Sequence, residues 1–138
     1  MATTKTTDQI VSAYNLINKA KLTKLEDSEK FILIKIARQL KKTSVDFEDF
    51  LNDAQEKLKP DNFDEIADKM QMKKELTADE SATVTKYNKD VSDCLKDELD
   101  KEVELTFEPV SDEMFGRFIA SNDFSVSEML TIADVICA

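Results

Sequence analysis

The chain of 138 residues contains no histidine and no tryptophan, a single glycine (Gly116), two prolines (Pro60 and Pro109) and two cysteines (Cys94 and Cys137). Without histidine there is no general base that titrates near neutrality, no His-ligated zinc, and no Ser-His or Cys-His nucleophile pair. One glycine cannot build a phosphate-cradling loop, so ATP, GTP or NAD bound through the P-loop or the dinucleotide fingerprint is excluded. Scarce helix breakers and scarce positive-φ turn residues favour long helices over a many-stranded sheet. Two cysteines are too few for a disulfide framework, and both are expected to be reduced.

Long apolar runs are also missing. The longest, Phe31 to Ile34, falls far short of the roughly 20 residues that cross a bilayer. Residues 1–8 are polar and threonine-rich, with no apolar signal segment. The expected location is therefore cytoplasmic, either a bacterial host cytoplasm or a virion, with no membrane contact.

Charge is abundant and uneven. Of a formal net charge of -10, residues Lys5 to Lys42 hold nine Lys/Arg against four Asp/Glu, a net of +5, and residues 43–138 hold ten against 25, a net of -15. A field of that sign repels phosphate over most of the chain, so no direct nucleic-acid binding is expected. Lys19, Lys21, Lys24, Arg38, Lys41 and Lys42 form a basic stretch with few aromatics nearby, which reads as ordinary surface.

The apolar periodicity predicts a mostly α fold. A first helix runs from about Asp8 to Ala20, capped by Thr6 or Thr7, with residues 1–7 expected to be flexible. A second runs from about Ser28 to Lys59, where Leu33, Ala37, Leu40, Ser44, Phe47, Leu51, Ala54 and Leu58 keep a period near 3.5. Asp61 or Asn62 caps a third, and the Thr77/Glu80 capping box begins a fourth that ends near Lys101. Val84, Tyr87, Val91, Cys94 or Leu95, and Leu99 make the fourth helix an antiparallel partner for the second, and this long-helix hairpin is the expected scaffold. Cys94 is expected to be a small buried hydrophobe on that seam, and Cys137 partly exposed.

Val103, Leu105 and Phe107 then alternate with polar residues, which is a strand pattern. Leu22 to Leu25 is the expected mate for one short strand pairing, and pairing with another chain is the alternative. Ser111 caps a fifth helix, and the Ser125/Glu128 capping box opens a sixth. One helical domain over residues 1–138 is the resulting expectation.

Carboxylates cluster at Asp61, Asp64, Glu65 and Asp68 and again at Asp93, Asp97, Glu98 and Glu102. Such runs are usually solvated faces, and no EF-hand register fits them. No catalytic residue, metal site or cofactor is assigned. Phe115, Phe118, Phe124 and Met129 are many large apolar side chains for two short helices; most must enter the core, and any excess would form an exposed interaction patch. Together with the acidic residues Asp93, Asp97 and Asp100 they make up the expected interaction surface.

The segment Ala13-Tyr14, followed by Ala20-Lys21-Leu22, then the long Phe31 to Leu58 helix, then Tyr87-Asn88-Lys89 running into Glu102-Val103-Glu104-Leu105-Thr106-Phe107, resembles a loosely defined family of small helical proteins of unknown function. That family is associated with phages and prophages, some from gut bacteria. The resemblance implies a mobile-element origin, a helical fold and no known enzymatic activity. The expected function is thus non-enzymatic: a protein-protein interaction or assembly protein, as virion component or assembly factor, whose partner is another protein or a second copy of itself in a homo-oligomer. An acidic decoy that occupies the basic groove of a host nucleic-acid-binding or defence protein is one alternative, and a carboxylate-metal enzyme is the other.

Overall fold

Every chain segment with apolar residues at three- and four-residue spacing becomes a helix. In the computed structural model, which describes residues 3–137, the element order is β1 (Thr3–Thr6), α1 (Thr7–Ile17), α2 (Asp27–Leu58), α3 (Phe63–Gln71), α4 (Ala78–Leu99), β2 (Glu102–Leu105), α5 (Asp112–Ala120) and α6 (Val126–Ile136). The fold is mostly α, with one small antiparallel sheet. The chain divides into two compact units: unit 1 comprises Met1–Phe47 and Leu99–Ala138, and unit 2 comprises Glu48–Glu98. Helix α2 contributes its first part to unit 1 and its last part to unit 2.

Four helices, α1, α4, α5 and α6, start at a side-chain cap, whereas α3 starts at Asn62 without a side-chain hydrogen bond from the expected cap. Thr6 accepts from the Gln9 amide while Gln9 reaches back to the Thr6 amide, and Ser125 and Glu128 repeat the arrangement at α6. Ser111 accepts from the Met114 amide at 3.2 Å and opens α5. At α4 the Glu80 amide donates to the Thr77 hydroxyl at 3.1 Å, and the Thr77 amide donates to the Glu80 carboxylate at 3.0 Å. Each box satisfies amide groups that the first helical turn leaves without an intrahelical partner.

The mate of β2 differs from the expected one. Residues 3–6, expected to be flexible, form β1 and pair antiparallel with β2 in the register Thr3 to Leu105, Thr4 to Glu104, Lys5 to Val103 and Thr6 to Glu102. β-branched threonines suit a pleated edge, and the pairing is anchored where it meets α1. There the Thr7 amide donates to the Lys101 carbonyl at 2.8 Å and the Thr7 hydroxyl donates to it at 3.2 Å.

Leu22 to Leu25, expected to supply that strand, is a turn instead. Its backbone is satisfied by side chains at the end of α5: the Lys21 amide donates to Asn122 Oδ1 at 2.7 Å, the Lys24 amide donates to Ser121 Oγ at 2.8 Å, and Asn122 Nδ2 donates to the Lys21 carbonyl at 2.8 Å. With those partners, no ladder is needed to pair the segment.

The core of unit 1 gathers Ile10, Ala13 and Ile17 of α1, Leu33, Ile36 and Leu40 of α2, Leu105 of β2, Met114 and Phe118 of α5, and Ile132, Val135 and Ile136 of α6. Helix α1 packs chiefly on α6. The buried residues of the first part of α2 thus serve this core. In unit 2 the buried residues are Ala54, Ile66 and Val91. Within that unit the two long helices meet where the Tyr87 hydroxyl of α4 donates to the Gln55 carbonyl of α2 at 3.3 Å. Cys94, expected on a buried seam, is exposed: one residue short of Leu95, it lies on the solvent side of α4 while Leu95 is half-buried.

Candidate functional site

The expected C-terminal aromatic patch is mostly core. Phe118 retains 1% of its exposure and is flanked by Phe124, with ring centroids 5.6 Å apart, and Phe115 at 6.4 Å. Phe115 and Phe124 are half-buried against that core, and Met129 is half-buried on α6. Phe118 is therefore removed from any surface role, because nearly all of its area is already out of water. The apolar excess on α6 lies instead at Val126 and Leu130, one turn apart and both exposed.

The three acidic residues of the expected surface, Asp93, Asp97 and Asp100, are exposed. Asp93 and Asp97 stand four residues apart on α4 in unit 2, a spacing that puts them on one helix face. Asp100 belongs to unit 1, just past the end of α4.

A more pronounced surface feature occupies the start of α2 in unit 1. Phe31 is 61% exposed, Ile32 46% and Ile34 51%, although Leu33 between them is buried at 2%. The reason is geometric. A helix turns about 100° per residue, so only one residue of a four-residue apolar run can point straight into the core. The core claims Leu33, Ile36 and Leu40 at three- and four-residue spacing. Phe31, Ile34, Arg38, Lys41 and Lys42 fall on the opposite face by the same periodicity.

Lys35 Nζ lies 5.0 Å from the centroid of the Phe31 ring, within the range of a cation–π contact. Among the described residues Lys30 pairs only with the exposed Asp27 carboxylate, at 3.7 Å. Among the described residues Arg38, Lys41 and Lys42 have no carboxylate partner.

The helix that carries this face is fastened at its root. Arg117 Nε of α5 donates to Glu29 Oε1 at 2.9 Å, and a second guanidinium nitrogen donates to Glu29 Oε2. The same carboxylate accepts from the Glu26 amide at 3.0 Å. Hydrogen bonds from Arg117 first, and from the Glu26 amide second, hold the Glu29 carboxyl below its ordinary range.

Unit 2 contains a separate apolar pocket of about 260 Å³ lined by Phe63, Ile66, Ala67, Met70, Val84, Tyr87 and Asn88. The rings of Phe63 and Tyr87 meet at 4.9 Å. Lys69 Nζ donates to Glu80 at 2.8 Å and ties α3 to the start of α4, and this bond, with the Thr77 amide, holds the Glu80 carboxyl low. The polar groups of its lining residues are Asn88 and the Tyr87 hydroxyl, which donates to the Gln55 carbonyl, so the pocket offers volume and apolar surface with no charged side chain in its wall.

Among the described residues no group of three or more His, Cys, Asp or Glu side chains is placed to hold a metal ion, and no helix is long and apolar enough to cross a membrane. Comparison with protein-family models, with curated proteins and with solved structures finds no match to this chain.

Proposed function

We propose that the chain is a non-enzymatic protein-binding module, in keeping with an assembly or interaction role in a phage or other mobile element. The observation that supports this reading is the exposed apolar pair Phe31 and Ile34 on one face of α2. Scattered single hydrophobes on a surface are ordinary, but Phe31 and Ile34, three positions apart on the face opposite the core, are neighbours that a partner can cover together. Transferring a Phe or Ile side chain from water to an apolar contact is worth about 1.5–3 kcal/mol, so a partner that covers the patch gains affinity without any change in the core.

Site-specific photocrosslinking in a bacterial cytosol tests the reading. A benzoylphenylalanine at position 34 should give a discrete protein adduct that is lost when Phe31→Ser is added, while the same group at the exposed position Asn15 should not give it. No adduct at position 34 above the Asn15 control would refute a binding role for this face.

A further inference from the structure

We propose that the exposed face of α2 in unit 1, where Phe31 and Ile34 are followed by Lys35, Arg38, Lys41 and Lys42, docks an acidic amphipathic helix of a partner protein. The inference rests on the protein-binding reading above and names the chemistry of the partner.

Its first ground is charge. From Lys30 to Val45 the sequence carries five Lys/Arg and no Asp or Glu, in a chain where acidic residues outnumber basic ones 29 to 19. Arg38, Lys41 and Lys42 find no carboxylate among the described residues. Like charges three and four positions apart on a helix repel, and acidic side chains from outside relieve that repulsion while they pair with the cations.

The second ground is shape. The face from Phe31 to Lys42 is one helix wide and, at 1.5 Å per residue, about 17 Å long, which matches about three turns of a second helix laid alongside. Apolar residues on such a helix would meet Phe31 and Ile34 while its acidic flanks meet the cations, the usual division between anchors and specificity.

The two other occupants fit this face less well. Two copies of this face laid against each other would set cations against cations. For a lipid surface the apolar part of the face, Phe31 and Ile34 alone, is too short a strip to sink into acyl chains. A helix-width partner touches the stripe alone.

The test uses the full chain and a fluorescein-labelled 18-residue peptide with Leu at alternating three- and four-residue spacing and Glu at the flanking positions. Fluorescence anisotropy should show binding that weakens as salt rises. It should fall by about tenfold or more in Arg38→Glu/Lys42→Glu and in Ile34→Ser, with unchanged circular dichroism and thermal unfolding. The same peptide with Lys in place of Glu should not bind.

Binding that ignores these substitutions, or that is equal for the Lys peptide, would overturn the proposal. So would Ile34-dependent binding to vesicles of phosphatidylglycerol and phosphatidylcholine at 1:3 without binding to the peptide, which would assign the face to lipid. Concentration-dependent self-association abolished by Ile34→Ser would assign it to a second copy. An adduct from position 34 in the crosslinking experiment, with no peptide binding here, would retain the protein-binding role and reject the acidic helix.

Discussion

Arg117 of α5 and Glu29 of α2 form a two-bond ion pair across 88 positions of sequence, with the carboxylate largely buried and the guanidinium half-exposed. The pair fastens the first turn of α2 to α5.

Stability should consequently depend on pH through Glu29. Its carboxyl is held below the ordinary value of 4.5 in the folded chain, so the contribution is complete above that value and is lost as pH falls through the lower folded value. Glu29→Gln should be less stable than the parent at neutral pH, and the difference should shrink at about pH 3. Urea unfolding at the two pH values reads this directly. Arg117→Met should lower the melting temperature more than Lys30→Ala does, because it leaves a buried carboxylate without its partner whereas the Lys30–Asp27 pair is exposed.

Phe118 is the side chain to remove if the core of unit 1 is to be tested. It is 1% exposed and touches the rings of Phe115 and Phe124. Phe118→Ala should cost about 3–5 kcal/mol in denaturant unfolding. Val126→Ser and Leu130→Ser on the exposed side of α6 should each change stability by less than about 0.5 kcal/mol.

The N-terminal strand should be visible by hydrogen exchange. With β1 in place, amides of residues 102–105 that face Thr3–Thr6 are protected. Removing residues 1–5 should raise their exchange rates, while amides in the middle of α6 exchange as before. Thr6→Ala, which deletes the α1 cap, should cost about 1 kcal/mol.

The two cysteines should react differently with a thiol reagent. Cys94 is exposed, whereas Cys137 is half-buried, and burial first, with the nearby Asp112 charge second, pushes its thiol pKa up. At about pH 8 Cys94 should be modified quickly with no loss of helicity, and Cys137 should lag behind it. Equal rates in the native protein would contradict the placement of both.

Glycine stands where the backbone does not require it and is missing where it would help. Lys73, just past α3, takes a φ of 58°, a left-handed conformation that costs a residue with a Cβ about 1–2 kcal/mol. Gly116 lies inside α5 with nothing within 4 Å of an added Cβ. Lys73→Gly and Gly116→Ala should therefore each raise stability, by about 0.5–1 kcal/mol, and thermal unfolding of the two single variants reads both effects.

Much of the helical fold was legible because its signals are local. A Thr or Ser three positions before a Gln or Glu bonds the turn it begins, whatever surrounds it, and so the starts of α1, α4 and α6 could be placed to within a residue or two from Thr6, Thr77 and Ser125. Alternation in β2 was equally plain. Its partner was not, because Thr3–Thr6 has no apolar alternation to announce a strand; what pairs it is the nearby backbone of residues 102–105. The expected surface at Phe115, Phe118 and Phe124 failed in part for a similar reason: composition says how much apolar area must be hidden but not which side chains win the available space.

By itself, then, the order of residues determined where helices begin, where the period changes from helix to strand, and how charge is divided along the chain, since each depends on neighbours a few positions apart. Only the tertiary structure decided that α2 turns Leu33, Ile36 and Leu40 inward and leaves Phe31 and Ile34 in water. An apolar run of four has no intrinsic inside. Its inward face is selected by what packs against it, here residues of α1, α5 and α6 that lie far away in sequence.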